Sequence, residues 1–305
     1  MLTSKPISVI IPVLNCQRTI GRCLEAILAQ DYPHEHYEII LVDNGSTDQS
    51  ISIMKEYPVK ILNEHRAHNS YMARNTGIRN ASGEIIVFLD ADCVPGKRWL
   101  ENLMTPFVDE EIGCVAGEVL NSPSTNLIQG FYSYVDFLGQ EHKVSNGIRA
   151  LGAGNIAFRR EIFDQIGLYD ENFRWGGDND FGLRLQKETS YRIFFSREAI
   201  VEHFHRYSLK GYFKQAFTYG LGKGRFRIKH SNPPFKKYKS LWTNIVVLMR
   251  YILGIILLPY RSIKVWQSGR TALESIAYPL LDKVFMITEQ MGIIYFMARN
   301  SCNRH

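Results

Sequence analysis

Two carboxylates one residue apart, Asp90 and Asp92 around Ala91, directly follow the run Glu84 to Leu89, which is apolar from Ile85 onward. An unbroken apolar run of that length reads as a strand covered on both faces. Acids just beyond its carboxyl end stand where open α/β sheets receive ligands. They suit a hard divalent cation that keeps some of its water and grips a diphosphate. The plainer alternative is a pair of acids that caps the strand and starts a turn. Other chemistry-bearing residues lie at similar places. Asp43 ends the run Glu38 to Val42 and can accept from a base-ring N–H, or from the turn amides around Gly45. The glycines of Gly152-Ala153-Gly154-Asn155 would let backbone approach a sugar or an acceptor closely. Trp175, beside Gly176 and Gly177, offers either an apolar face for a sugar ring or a core side chain.

The elements that must hold these residues alternate. Ile7 to Val13 reads as a strand, and Thr19 to Gln30 as a helix with apolar spacing at Ile20, Leu24, Ile27 and Leu28. Glu38 to Val42 is a second strand, and Gly45 to Tyr57 turns into a helix. Val59 to Leu62 is a third strand, Ser70 to Asn80 a helix, and Glu84 to Leu89 the fourth strand. Such alternation predicts an α/β fold, a mostly parallel sheet flanked by helices. Further on, strands are expected at Gly113 to Leu120, Ile156 to Phe158, Tyr191 to Phe195 and Ala199 to His203. Helices are expected at Thr125 to Gln140, Arg159 to Ile166, Asp178 to Lys187 and Leu209 to Lys229. The first strand is followed by Ile11-Pro12-Val13-Leu14-Asn15, so the GxGxxG cradle of a dinucleotide-binding fold is missing.

The chain has 305 residues, 45% of them hydrophobic and 22% charged, an ordinary globular composition. No secretory signal is expected from the first residues. Five cysteines without a CxxC pair argue for a reducing compartment and against a zinc site or disulfide frame. The formal charge of +6 is uneven: residues 206–305 hold 17 Lys and Arg against 3 Asp and Glu, whereas residues 1–205 hold 19 against 27. A basic tail on an acidic body suits an anionic surface. Ser231-Asn232-Pro233-Pro234 breaks the chain, and Leu241 to Pro259 beyond it is apolar apart from Thr243, Asn244 and Arg250. That run is about long enough for a bilayer, which needs ~20 residues. Arg250 near its middle and basic residues on both flanks favour a helix lying in or re-entering the interface over a simple span. Ala272 to Met297 is apolar but carries Glu274, Asp282, Lys283 and Glu289, so it reads as amphipathic. A membrane surface is the expected partner on the cytoplasmic side, peripheral or integral. Core helices of a second small domain are the alternative. Nucleic acid is not expected, because the charges border apolar runs rather than a groove with stacking aromatics.

Five motifs occur in order: Ser8-Val9-Ile10-Ile11-Pro12, Val42-Asp43-Asn44-Gly45-Ser46-Thr47-Asp48, Ala73-Arg74-Asn75-Thr76-Gly77, Leu89-Asp90-Ala91-Asp92 and Gly177-Asp178-Asn179-Asp180. Together they resemble the family 2 glycosyltransferases, inverting enzymes of the GT-A fold, over about residues 6–230. The resemblance implies a GT-A domain at 1–230, and the shift in composition beyond it implies a basic, apolar helical region at 231–305 that associates with a membrane. The resemblance also implies a nucleotide-diphosphate sugar donor, a glycan or lipid-linked acceptor, and Mn²⁺ or Mg²⁺ as cofactor, in polysaccharide or cell-envelope glycan assembly. Pro12 and Asn15 would shape the nucleotide pocket and Asp43 would read the base. Arg74 would face the diphosphate or brace the carboxylates. Asp90 and Asp92 would hold the cation, with His203 as a further ligand; His205 and Arg206 follow it. Asp178 would be the general base, and Gly154, Asn155, Trp175 and Asp180 would meet sugar and acceptor.

Two residues depart from the family pattern. Asn44 stands where a second acid is common, which weakens a base or ribose contact there. Gly177 stands where a Glu usually precedes the base, which leaves a roomier pocket. The residue types fit sugar transfer. A cation stabilises charge on the leaving diphosphate, and a carboxylate within hydrogen-bond reach of the acceptor hydroxyl can take its proton. Attack opposite the leaving group inverts the anomeric centre. A nucleotidyltransferase and a sugar-binding scaffold without turnover are the rival expectations.

Overall fold

In a computed structural model of the protein, the described residues are 5–66, 68–135, 151–204, 208–230 and 240–302. They fall into two compact units. The first takes residues up to 122, those from 151 to 172, and Gly177–Phe204. The second takes residues 123–135, Phe173–Gly176 and everything described from 208 onward.

The first unit is an eight-stranded sheet. In chain order its strands and helices are β1 (Ile7–Val13), α1 (Ile20–Leu28), β2 (Tyr37–Asp43), α2 (Ser50–Met54), β3 (Lys60–Asn63), α3 (Ser70–Asn80) and β4 (Ile85–Leu89). Then come β5 (Cys93–Pro95), α4 (Trp99–Met104) and β6 (Ile112–Asn121). In the second unit, α5 (Leu127–Tyr134) starts two residues later than the helix expected from Thr125 to Gln140, with Asn126 as its N-cap, and the expected helix beyond Val135 lies outside the described residues. The first unit resumes with β7 (Asn155–Arg159), α6 (Arg160–Ile166), α7 (Gly177–Glu188) and β8 (Arg192–His203).

The strand order is β3-β2-β1-β4-β7-β6-β8-β5. Strands β3, β2, β1 and β4 run parallel, as the alternation of strands and helices predicts. The other half is mixed: β7 is antiparallel to both β4 and β6, and β5 is antiparallel to β8. The two strands expected at Tyr191 to Phe195 and Ala199 to His203 are one strand, whose ladder with β6 is irregular at Gly117 and Glu118. The helix expected from Gly45 to Tyr57 shrinks to α2, because Gly45 to Gln49 form a hydrogen-bonded loop instead.

Alternate residues of β1 point to opposite faces of the sheet. Ile7, Val9, Ile11 and Val13 join Ile20, Leu24 and Ile27 of α1 and Trp99, Leu100 and Leu103 of α4 in one buried core. On the opposite face, α3 lies against Ile10 at Gly77. An aromatic cluster of Phe88, Phe158, Phe163, Tyr169 and Phe181 ties β4, β7, α6 and α7 together there. Pairing of β1 to β4 ends at Ile10↔Phe88, while β1 continues beside β2 to Val13↔Asp43. The carboxyl edge therefore opens between β1 and β4.

The second unit is helical. Its longer members are α8 (Leu209–Lys229), α9 (Leu241–Leu253), α10 (Leu258–Gln267) and α11 (Ala272–Cys302), with a 3₁₀ turn at Gly254–Leu257. Helix α8, which the sequence assigns to the first domain, packs with this unit: Gly220 touches the backbone of α11 at Glu289 and Gly292. Tyr132 of α5 donates to Gln215 of α8 at 2.6 Å, and Tyr212 of α8 donates to the Leu281 carbonyl. Asn244 of α9 is fully buried, taking a hydrogen bond from Arg227 at 2.5 Å and one from Gln290 at 3.1 Å. The helical run Leu241–Gln267 is 27 residues long, long and apolar enough to cross a bilayer; its most apolar stretch has a mean hydropathy of 2.0, and only 6% of that stretch is buried. The break at residues 231–234 lies outside the described residues.

Candidate functional site

The carboxyl edge of the sheet gathers the site of the first unit. Asp90 follows β4 and Asp43 ends β2. His203 ends β8, which runs in the same direction as β4 through the β7 and β6 pairings. The first turn of α3 meets the same edge and brings Tyr71 and Arg74 there one turn apart on one helix face.

Arg74 is almost fully buried. Its Nη2 donates to Asp90 Oδ1 at 2.6 Å and to the Ala153 carbonyl at 3.3 Å. Its guanidinium sits 5.8 Å from the centroids of both the Tyr71 and Phe88 rings. Arg74, expected to face the diphosphate or brace the carboxylates, contacts the Asp90 carboxylate. Asp90 is further fixed by its own N–H, which donates to Gly154 O at 3.2 Å. Burial, together with the nearby Asp92 carboxylate, raises the Asp90 acid above its ordinary range, against the pull of Arg74.

Asp92 and His203 meet at 3.3 Å, Oδ1 to Nε2. The register that sets Cys93 opposite His203 makes this contact, and the Phe204 N–H extends the ladder by donating to Asp92 O at 2.9 Å. Asp92, Cys93 and His203 place their potential ligand atoms within 4.8 Å of one another. Cys93 is buried in the apolar core, which raises its thiol well above the usual range and keeps it protonated. A carboxylate oxygen and an imidazole nitrogen are thus the available donors. They fit a divalent cation that completes its shell with water and diphosphate oxygens. The sequence groups Asp90 with these ligands, but the structure turns one Asp90 oxygen to Arg74.

Asp178 opens α7. Tyr71 Oη donates to its Oδ1 at 3.1 Å, and the Asn179 N–H donates to the same oxygen at 3.1 Å. Burial raises the Asp178 acid, while the Arg74 charge and the Tyr71 hydroxyl pull it back. Arg74 and Tyr71 therefore join the two carboxylates that the sequence separates by 88 positions: one side chain holds Asp90 and the other holds Asp178. Tyr71 carries no motif, and sequence reasoning missed it. Its only sequence signal is its place three residues before Arg74.

Other expected residues sit elsewhere. Asn155 was expected at the sugar, but it is fully buried. Its amide donates to the Glu118 and Ala199 carbonyls, both at 2.8 Å, and accepts from Trp99 Nε1 at 2.8 Å. These bonds bind β6, β8 and α4 together and leave no group for an acceptor. Asp180 is also fully buried, paired with Arg184 at 3.1 Å one turn along α7. Two residues on from Asp178, a helix has turned ~200°, so the two acids face apart. Asp43 accepts from the Gly45 N–H at 3.1 Å and the Ser46 N–H at 3.2 Å, and is 1% exposed. It forms an Asx turn that fixes the loop after β2. Asn15, at φ 55°, accepts from the Thr47 N–H at 2.8 Å through Oδ1, and its own N–H donates to Ser46 Oγ at 3.0 Å. It stitches the loop after β1 to the loop after β2. Pro12 pairs beside Val42, two residues past the last β4 partner. Gly154 lies under the Asp90 carboxylate: a Cβ there would sit 2.6 Å from Asp90 Oδ2. Trp175 belongs to the second unit, where its ring lies 5.1 Å from that of Tyr219. His205 and Arg206 lie outside the described residues.

Several known proteins are similar to this chain. Glycosyltransferase AglE of Haloferax volcanii is 32% identical over 204 residues, covering 65% of this chain and 66% of that protein. A Methanococcus voltae enzyme is 28% identical over 239 residues, 72% of this chain and 73% of its own length. It is named dolichyl N-acetyl-alpha-D-glucosaminyl phosphate 3-beta-D-2,3-diacetamido-2,3-dideoxy-beta-D-glucuronosyltransferase. The solved mannosyltransferase PcManGT from Pyrobaculum calidifontis, in complex with GDP-Man and Mn2+, superposes with a TM-score of 0.65. It is 20% identical and covers 95% of this chain and 87% of its own, a likeness of fold. The family profile described as Glycosyl transferase family 2 matches residues 8–167. That match spans more than half of the chain, and the protein belongs to glycosyl transferase family 2.

Proposed function

We propose that the protein transfers a sugar, with inversion, from a nucleotide-diphosphate sugar to an acceptor hydroxyl on a glycan or lipid-linked glycan at a membrane surface. One observation carries this reading: Arg74 and Tyr71, one turn apart on α3, hold Asp90 and Asp178 at a single edge of the sheet. Asp92 and His203 stand at the same edge. They are the groups that would hold Mn²⁺ or Mg²⁺, and the imidazole favours Mn²⁺. The cation, when bound, supplies charge stabilisation to the leaving diphosphate.

The chain's own residues do the rest. Arg74 fixes one Asp90 oxygen. The other Asp90 oxygen, over Gly154, faces the donor. Asp178 takes the proton of the acceptor hydroxyl through Oδ2, since Tyr71 and the Asn179 N–H, its hydrogen-bond donors among the described residues, both occupy Oδ1. General-base help of this kind contributes typically ~10²–10⁴-fold. Pro12 and the Asn15–Thr47 stitch shape the nucleotide pocket, and Asp43 fixes the turn that lines it. Gly154 remains the first unit's candidate for sugar and acceptor contact.

The relatives support sugar transfer. AglE is a glycosyltransferase by name, and the Methanococcus voltae enzyme acts on a dolichyl-linked sugar phosphate by name. The membrane surface rests on the exposed apolar side of Leu241–Gln267 and on the basic excess of the last hundred residues. The test is product analysis with Mn²⁺ and a panel of UDP-, GDP- and dTDP-sugars. Release of nucleoside diphosphate with a sugar on the acceptor is expected, and it should vanish in Asp178→Asn. Pyrophosphate release would instead mark nucleotidyl transfer. Nucleotide binding without turnover across many acceptors would mark a scaffold.

A further inference from the structure

We infer that Tyr71 is a positioning residue for the base: its phenol holds Asp178 by one oxygen and so presents the other to the acceptor, and Gly177 makes room for its ring. The inference rests on the reading of Asp178 as the base.

The ring is clamped from several sides. Asn69 caps α3 by accepting the Tyr71 N–H at 2.9 Å, and its amide reaches the Glu171 carbonyl at 2.7 Å. The Tyr71 ring stacks on Tyr169 at 5.5 Å and 27°. Tyr169 in turn stacks on Phe181 of α7 at 4.6 Å, and its backbone is gripped by Asn75 through bonds of 2.9 and 3.1 Å. The ring edge rests on Gly177, where a Cβ would come within 2.9 Å of Cε2 and Cζ. Any larger residue before the base would displace the phenol. A Glu there and this Tyr71 position exclude each other.

The hydroxyl has one direction to go. Burial and the Asp178 carboxylate hold the phenol well above its ordinary range, so it stays protonated and can only donate to the carboxylate. With the Asn179 N–H it places two donors on Oδ1 and none, among the described residues, on Oδ2. A carboxylate fixed this way has one oxygen aimed and available. Among the described residues, the titratable and charged groups facing Asp178 are Tyr71 and Arg74 from α3 and Tyr169 from the segment before α7. Donation to the charged form favours it. Losing the phenol therefore makes Asp178 bind its proton more tightly and leaves its rotamer less fixed.

The experiment uses the full chain and Tyr71→Phe, which keeps the ring on Tyr169 and Gly177 and deletes only the hydroxyl. Carboxyl ¹³C NMR titration of Asp178 needs no substrate. At least a threefold rise in its proton affinity is expected, and an unchanged value would overturn the inference. In nucleotide release from UDP-, GDP- and dTDP-glucose with Mn²⁺, kcat is expected to fall at least tenfold. KM for the donor should stay within twofold, and the acid limb of the profile should move to higher pH. A wild-type kcat and limb in Tyr71→Phe would overturn the inference while leaving the base in place. Wild-type turnover in Asp178→Asn would instead overturn the base reading itself.

Discussion

His203 Nε2 stands 3.3 Å from Asp92 Oδ1, at the end of a strand pair that sets His203 opposite Cys93. The ladder sets this donor pair, with His203 at the end of β8 and Asp92 in the turn just before β5. Replacing His203 by Ala should weaken Mn²⁺ binding at least ~10–100-fold, the loss typical even for groups behind the ligands. Titration calorimetry of chelator-stripped protein checks this. Cys93→Ser is the contrast: the thiol faces the core, so Mn²⁺ affinity should stay at the wild-type level.

Gly154 tests how tightly the donor-facing acid is placed. A methyl group there would meet Asp90 Oδ2 at 2.6 Å. The carboxylate must move or leave Arg74. Gly154→Ala should lower kcat by about tenfold or more, as an ångström of misplacement does in catalytic sites. The sheet should stay folded, because Gly154 stands at the edge, outside β7. Far-UV circular dichroism and steady-state nucleotide release separate the two effects.

Asn155 stands next in sequence and makes the opposite prediction. Its amide satisfies two carbonyls and the Trp99 indole in a fully buried position. Asn155→Ala strands those partners, and buried groups left unpaired cost about 1–3 kcal/mol each. A loss of about 3 kcal/mol in urea-unfolding stability is expected. The protein that remains folded should keep its donor affinity.

These neighbours show where the sequence was legible. The apolar runs of β1, β2 and β4 and the span of α3 follow from periodicity alone, because each packs on both sides or on one clean face. The antiparallel course of β7 was not legible, since strand direction depends on connections and not on the strand's own residues. Strand β5 was missed because its three residues carry no period. Asn155 and Asp180 were drawn to the site by proximity to Gly154 and Asp178. One step along a strand or two along a helix turns a side chain to another face. Tyr71 was invisible because its role depends on Gly177, more than 100 positions away.

Burial of Asp178 has a pH signature. Its acid is raised, with Arg74 and Tyr71 opposing the shift. A base works when deprotonated, so kcat should fall as pH drops through that raised value, above the ~3.9 of a free Asp. The sign reverses for stability. A raised acid contributes its stabilisation when protonated and loses it as pH climbs past the unfolded value. Asp178→Asn should therefore be inactive yet no less stable than the wild type at pH 7, as thermal unfolding would show.

The second unit predicts where a membrane would sit. Asn244 docks α9 inward through Arg227 and Gln290, so that helix has a fixed inner side. Outward stand Trp242 (71% exposed), Ile256 (75%) and Trp266 (65%) on one helical run. Burying each large apolar side chain contributes about 1.5–3 kcal/mol, so three of them outweigh a few surface charge contacts. Changing all three to Ser should cut binding to phosphatidylglycerol vesicles more than tenfold. High salt, which screens only the basic residues, should leave much of the wild-type binding intact. Co-sedimentation at two ionic strengths reads both effects. Equal loss of wild-type binding in salt would mean that the basic residues alone carry the attachment.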